Sequence, residues 1–533
     1  MNWTAYLQNL QHTSKPSNAM FLLGVQCLAF KNFQYFVDTF FPKHCRHPFS
    51  EMHHDFFEAE QIPDRRSRHD VIAAPRGHAK TTFKVIFKVI HAIVYGYEPF
   101  IVIIGRTKED ARAKVVEILE ELESNRLLQD VYGRLLPKGG KRSGSFTTTT
   151  GVTVIAKSRG QSLRGLNKNA DRPTLIICDD IESLEETMSL EQREKTWEWF
   201  TKDILHLGQT DGSTNITVIG TCLHPDSLLE KLLKVPGWNG VKYQAVKSFS
   251  NRADLWQEYT AIYTNLTEKD RAKEAQAFLM AHYDEMMDGV ELLWPEAESY
   301  ERLMQMRIND GEAAFLSEKQ NIPWDPSRTI FDMDHARRFK VVREHGHLQG
   351  LQWLDGSERF IPKEDIVKII AFHDPVPGKS ISGDFAAIVV VALDRHGYMY
   401  CLDAWLGREN PNTQVQHAFA LHRQWRLNKL YLEENNFQGL IKTIYYENNQ
   451  KHSNEDLLFV EGFRSMENKT LRISSMEPYI TNGLVLFADS LSPLFIDQLK
   501  LYPSNHDDGP DALQGAIAQL KQPNIVDLYQ ALI

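Results

Sequence analysis

Cysteine is scarce and scattered: the 533-residue chain has five, Cys27, Cys45, Cys178, Cys222 and Cys401. None forms a C-x-x-C pair, and an odd number spread this thinly argues against a disulfide framework and suits a reducing compartment. Long apolar runs are missing too. The stretch at residues 19–30 is too short and too internal to span a bilayer, and no signal peptide is visible, so a cytoplasmic protein with no membrane partner is expected. Nor is there an excess of basic residues: Lys and Arg number 60 against 70 Asp and Glu, a net charge of -10. That balance excludes a protein that coats nucleic acid by bulk electrostatics. Contact with DNA would have to come from local basic patches and would be salt-sensitive. Zinc-type spacing is absent as well, for Cys45, His47, His53 and His54 crowd one segment without making a recognised ligand set.

What is present begins at residues 71–82, Val-Ile-Ala-Ala-Pro-Arg-Gly-His-Ala-Lys-Thr-Thr. An apolar run enters a turn of small residues and leaves it through a segment with helical apolar period (Phe83, Val85, Ile86, Phe87, Val89, Ile90). A strand–loop–helix of this kind cradles a nucleotide triphosphate. Its backbone N–H groups and helix dipole hold the phosphates, Lys80 reaches the outer ones, and the Thr81 hydroxyl binds Mg²⁺. The phosphate-binding stretch is therefore Arg76, Gly77, His78, Ala79, Lys80, Thr81 and Thr82. Against G-x-x-x-x-G-K-[ST] both glycines are replaced, by Ala74 and Ala79.

Downstream, residues 100–105 form a continuous apolar run, the mark of a strand buried on both faces of a parallel sheet, and residues 109–122 follow as an amphipathic helix. Residues 138–145 read as a Gly/Lys/Arg loop, 151–156 as a strand, and 160–165 as a polar turn carrying Arg164. At 174–182 four apolar residues run into paired acids, so the carboxylates emerge at the carboxyl end of a buried strand, where doubly wound sheets bind ligands. Asp179 is placed to hold Mg²⁺ and Asp180 to orient the attacking water, with Glu182 in reserve. Another apolar strand at 216–221 completes an alternating strand–helix pattern over residues 70–235, an α/β arrangement with a mostly parallel sheet.

The last third carries different chemistry. Residues 367–374 read as a strand ending in Asp374, 385–393 and 398–405 as a hairpin, 413–427 as a helix, and 429–435 as a strand carrying Glu433 and Glu434. Asp507, Asp508 and Asp511 surround a helix start with Pro510 in its first turn. Hairpin, helix, strand with acid and terminal acidic helix is the order of an RNase H-like nuclease. Acids at the ends of separated elements suit hard cations: a pair of Mg²⁺ or Mn²⁺ ions can activate water and stabilise the leaving oxygen of a phosphodiester. Asp374, Glu434 and one of the terminal acids would form that cluster; strand neighbours face opposite ways, so only one of Glu433 and Glu434 can point to the metals.

Over roughly residues 45–520 these motifs resemble the large terminase subunit, the DNA-packaging motor of tailed bacteriophages. Pro-Arg-Gly-His-Ala-Lys-Thr-Thr is similar to that family's deviant phosphate loop, in which an arginine, here Arg76, precedes the lysine. Ser-Leu-Arg-Gly at 162–165 places Arg164 where a finger reaching a neighbouring subunit is proposed, and Gly220-Thr221 resembles the coupling motif. His373-Asp374-Pro375, Glu434-Asn-Asn-Phe-Gln438 and the acids after His506 resemble the three nuclease motifs, with Asp374, Glu434 and Asp508 as the leading acids and Asp507 and Asp511 as supporting ligands. Asp180 stands where many such ATPases place Glu.

The resemblance implies an N-terminal P-loop ATPase motor at residues 1–325 (core about 45–240, smaller subdomain about 240–325) and an RNase H-like nuclease at 326–533. It implies ATP with Mg²⁺ in the first and two Mg²⁺ or Mn²⁺ ions in the second. The implied activity drives double-stranded DNA into a procapsid and cuts the concatemer in the host cytoplasm. Its implied partners are the portal protein, a small terminase subunit, and further copies of the chain in a ring, commonly a pentamer. A cellular helicase–nuclease of DNA repair is the main alternative, although no second motor domain is evident after residue 235. An ATP-binding scaffold with a dead nuclease is the other.

Overall fold

Phe100-Ile-Val-Ile-Ile-Gly105 is buried along its whole length, as an apolar run without alternation requires. It is one strand of a sheet in a computed structural model that describes residues 19–61, 66–137, 144–161, 163, 166, 171–323, 330–377, 384–433, 438–451, 456–464, 468–504 and 506–521. The chain divides into two units. The first comprises residues 1–249, 289–306 and 313–324, and the second 250–288, 307–312 and 325–533. The expected smaller subdomain at 240–325 is thus shared. Most of its helical part packs in the second unit, where Asn265 and Leu266 hydrogen-bond to the Tyr398 hydroxyl (3.4 and 3.2 Å) and Glu312 N–H donates to Glu477 (3.1 Å).

The sheet of the first unit contains β1 (His69–Ala73), β2 (Phe100–Gly105), β3 (Ser145–Thr147), β4 (Thr153–Ser158), β5 (Leu175–Asp179), β6 (Asn215–Gly220) and β7 (Asn239–Lys242). Its order is β3-β4-β2-β5-β6-β1-β7, and every pairing except β3 with β4 is parallel. One strand, β6, separates the strand before the phosphate loop from the strand that ends in Asp179, so both open onto one edge. The helix Lys108–Ser124 starts at a capping box in which the Thr107 hydroxyl accepts the Asp110 N–H and Asp110 accepts the Thr107 N–H. After the loop the chain is π-helical over Thr82–Phe87 and α-helical over Lys88–Tyr95, ending at Gly96 in the left-handed region. This helix is buried nearly all round. Lys84 and Lys88 are therefore buried too, and both pair with Glu60 at 3.0 and 3.1 Å. A small antiparallel pair, β8 (Val246–Ser248) and β9 (Glu291–Leu292), completes the unit.

The second unit holds a nine-stranded mixed sheet: β10 (Arg338–Glu344), β11 (His347–Trp353), β12 (Phe360–Pro362), β13 (Ile366–Asp374), β14 (Ala386–Asp394), β15 (Met399–Gly407), β16 (Lys429–Glu433), β17 (Val460–Phe463) and β18 (Val485–Ala488). Its core order is β15-β14-β13-β16-β17. The first three strands form an antiparallel meander, and β16 and β17 add in parallel beside β13, which is the RNase H arrangement expected above. β18 joins parallel to β15 and extends the sheet through the antiparallel β10-β11-β12, which the sequence reading did not anticipate.

The helix Asp508–Leu520 lies on β13 and β14 and buries Ala512, Leu513, Ala516, Ile517 and Leu520. Each large side chain sealed there contributes about 1.5–3 kcal/mol. The close approach depends on Gly515, where an added Cβ would stand 2.6 Å from ring atoms of Phe372. Helix propensity alone favours Gly515→Ala by about 1 kcal/mol. We predict the opposite sign: the ring of a buried Phe372 cannot retreat, so the variant loses about 1–3 kcal/mol by overpacking. Chemical denaturation of both forms decides, and an unchanged or raised stability would contradict this packing.

Candidate active sites

The phosphate loop is built on left-handed backbone. Gly77 has φ 87° and Ala79 has φ 58°, so Ala79 adopts the conformation that the consensus glycine supplies without strain. The loop is braced from below. Arg76 N–H donates to the Glu318 carbonyl (2.9 Å), and Lys319 donates to the Arg76 carbonyl (2.9 Å) while pairing with Glu298 (2.8 Å). The Arg76 side chain is 72% exposed and rests 3.3 Å from Glu318. His78 is buried beside Trp294, and burial lowers its pKa to about 4, so its imidazole is neutral and packs as a wall of the loop. Lys80 is buried with its ammonium on the Ala74 carbonyl (3.2 Å) and 3.8 Å from Asp180. Thr82 opens the π-helical turn.

Asp179 ends β5 fully buried. The Thr81 hydroxyl donates to its carboxylate at 3.1 Å, and Lys114 sits 2.6 Å away. Burial raises the Asp179 pKa while the Lys114 charge opposes the rise. Asp180 is half-exposed with φ 47° and holds the edge by donating its N–H to the Ile219 carbonyl. Lys80, Thr81, Asp179 and Asp180 are therefore brought together as expected. Glu182 is not: it is buried, and both carboxylate oxygens lie 3.0 Å from the Leu228 N–H, at the start of the helix Leu228–Leu232. Its acceptors are committed to that helix end, so the reserve role does not fit. Arg164 lies outside the described residues.

In the second unit Asp374, Glu433 and Asp511 each present a carboxylate oxygen within 4.8 Å of the others, all buried. Register explains the choice of Glu433. His373 of β13 pairs with Leu432 of the parallel β16, so the next residues, Asp374 and Glu433, end their strands side by side. Glu434, the favoured acid in sequence, lies outside the described residues. Asp511 comes from one turn into the last helix. Asp508, expected to lead, is not part of this trio, and its carboxylate accepts the Phe385 N–H (3.1 Å) at the entry to β14. Asp507 pairs with Lys469 at 3.0 Å.

Burial first, then the charges of Glu433 and Asp511, pushes the Asp374 carboxyl well above its ordinary value. His373 beside it is neutral, with burial lowering its pKa to about 4, and its ring is fixed by the Tyr445 hydroxyl (2.9 Å) and Gln414 (3.2 Å). Two cations from the helix Lys469–Ser474 hold Asp511: Lys469 at 3.2 Å and Arg472, which also approaches Glu433 at 3.9 Å. An all-carboxylate donor set at this spacing fits a hard divalent cation. The sequence reading missed Lys114, Lys469 and Arg472. None of the three belongs to a motif, and each gains its place only from the acid that tertiary packing sets beside it.

No protein-family model matches the chain, and no curated protein does. Among solved structures, the chain is similar to the large terminase from a thermophilic bacteriophage, at 10% identity over 89% of this chain and 99% of that one, with a TM-score of 0.47. It is also similar to the HK97 bacteriophage large terminase (13% identity, 89% of this chain and 95% of that one, TM-score 0.29). A third similar structure is the large terminase nuclease from thermophilic phage G20c (16% identity, 36% of this chain and 98% of that one, TM-score 0.24).

The crowding of the trio has a testable sign. A carboxyl whose folded pKa is raised takes up protons more readily in the native state, so its stability contribution falls as pH rises from about 4, its unfolded value, through the folded one. Asp374 thus contributes less to native stability at neutral pH than near pH 4 when no divalent ion is bound. Asp374→Asn should raise metal-free stability at pH 8 by about 1–2 kcal/mol and change little near pH 4. It should also lose the stabilisation that Mn²⁺ gives the parent. Thermal melts across pH, with and without Mn²⁺, measure both, and a variant less stable at pH 8 would contradict the arrangement.

Proposed function

We propose that this chain is a large terminase subunit, a motor that moves double-stranded DNA into a procapsid with ATP and cuts it with a metal-dependent nuclease. The observation that carries this reading is the presence of two chemically separate centres on one chain. Lys80, Thr81 and Asp179 stand at the edge of a parallel sheet, and Asp374, Glu433 and Asp511 stand at the end of an RNase H-ordered sheet. In this reading residues 1–325 contribute the motor and residues 326–533 the nuclease, with 250–288 and 307–312 of the motor part packed in the second unit.

In the motor the loop backbone from Arg76 to Thr82 cradles the nucleotide phosphates, and the buried Lys80 ammonium neutralises the outer ones. The Thr81 hydroxyl, held by Asp179, would be a ligand for the Mg²⁺ that accompanies the nucleotide. Asp180, half-exposed and beside Lys80, orients the attacking water. Arg164 acts on the nucleotide of a neighbouring copy, where such an arginine can be worth about three to five orders of magnitude in rate. In the nuclease, Mg²⁺ or Mn²⁺, a pair of ions in this reading, supplies the charge that activates water and stabilises the leaving oxygen. Asp374, Glu433 and Asp511 would hold it. The His373 ring, locked by Tyr445 and Gln414, keeps the end of β13 in place. The partners in this reading are DNA, a portal ring, a small terminase subunit and further copies of the chain, commonly five, in the host cytoplasm.

Lys80→Ala removes the positive partner of the outer phosphates and should abolish ATP turnover. Mn²⁺-dependent plasmid cleavage should stay within about twofold of the parent, because its ligands are separate acids. Asp374→Ala should do the reverse. ATPase and nicking assays on the same preparations check the pair. Parental ATP turnover in Lys80→Ala, or cleavage surviving in Asp374→Ala, would remove one half of the reading.

A further inference from the structure

Beyond the two centres, the second unit has an open cavity of about 210 Å³ whose lining includes Arg337, Arg359, Trp353, Tyr398, Asp355 and Ser357. The Arg359 guanidinium lies 4.4 Å from the centre of the Trp353 ring and 4.9 Å from that of Tyr398, and Arg337 lies 5.3 Å from Trp353. The two rings form a rigid floor: they meet edge to face at 5.1 Å and are 5% and 2% exposed. The arginines above them are only half-buried. Cation–π contact fixes a guanidinium plane but uses none of its five N–H donors.

Among the described residues neither guanidinium has a carboxylate or another acceptor within bonding distance. The one acid in the lining, Asp355, accepts the Ser357 N–H and hydroxyl on a single oxygen and lies within electrostatic reach of Arg337 without a hydrogen bond to it. Two preoriented cations without an acceptor, at the mouth of an open cavity, describe an anion site. Counting Asp355, the cavity carries a formal charge of about +1, which matches a phosphodiester, singly charged at every pH near neutrality, more closely than a free phosphate, which is a mixture of singly and doubly charged forms there.

We propose that this cavity seats one backbone phosphate of a nucleic-acid strand, gripped by Arg337 and Arg359 over Trp353. None of these residues belongs to the acid trio or the phosphate loop. The proposal rests on the DNA-handling reading above and adds a contact point that a chain of net charge -10 needs if DNA is to be held locally.

The test uses the full chain and a fluorescein-labelled DNA duplex, with divalent ions chelated so that nothing is cut, and follows anisotropy over a KCl series. Arg337→Gln with Arg359→Gln should weaken binding about tenfold at low salt and reduce the slope of log K against log salt by about one. Arg337→Lys with Arg359→Lys keeps both charges and should keep most of the slope. If the double Gln variant does not fold, Arg359→Gln alone, which leaves Arg337 on Trp353, is read in its place. A second arm follows melting with inorganic phosphate, which should shift parent and variant alike. An unchanged slope in a folded Gln variant overturns the proposal while leaving the DNA reading intact. Phosphate that stabilises the parent alone, with DNA binding unaltered, reassigns the cavity to a free anion and also overturns it. A parent chain with no salt-sensitive DNA binding would fail both the proposal and the reading beneath it.

Discussion

Carboxylates at the ends of buried strands are the constraint on which the rest of this structure depends. An ionised acid inside a protein is costly unless it is paired, and pairing by one partner alone leaves much of that cost in place. Asp179, Asp374 and Glu433 end buried strands and Asp511 joins the last two from the helix packed on them, and basic side chains from neighbouring helices serve Asp179, Glu433 and Asp511. Lys114 answers Asp179, while Lys469 and Arg472 answer Asp511. The two sheets share no topology, yet each brings its acids to the carboxyl ends of parallel neighbours and supplies a resident cation from a helix beside them.

That arrangement explains why the supporting structure is so tightly specified. β6 between β1 and β5 sets the gap between the loop after β1 that carries Lys80 and the end of β5 that carries Asp179. Parallel pairing of β13 with β16 sets Asp374 beside Glu433. Gly515 lets the last helix sit close enough to β13 for Asp511 to complete the trio. Strain is accepted locally for the same end: Ala79 and Asp180 both take left-handed backbone, which costs a non-glycine residue on the order of 1 kcal/mol.

Much of this was legible in sequence where the signal was local. Four apolar residues running into Asp179-Asp180 marked a buried strand and its ligand edge, and the apolar strand ending in Asp374 did the same for the second sheet. The hairpin, the helix expected at 413–427 and found at Pro411–Trp425, and the terminal acidic helix carried the RNase H order. What escaped was relational. Alternation left one of Glu433 and Glu434 to face the metals; of the two only Glu433 lies among the described residues, set beside Asp374 by the register of β16 on β13. Asp507, Asp508 and Asp511 lie within one turn, and only tertiary packing gives Asp508 to Phe385 N–H and Asp511 to the trio. Lys469 and Arg472 carry no motif, because a positive charge on a short helix gains meaning only from the acids beside it.

The most direct test of the account is where a divalent ion goes. Crystals of the full chain soaked in Mn²⁺ and measured at the manganese absorption edge would show it by anomalous scattering. The structure predicts density bonded by oxygens of Asp374, Glu433 and Asp511. Manganese held by Asp508 with Glu433 turned away, or bound elsewhere with the trio left empty, would contradict it.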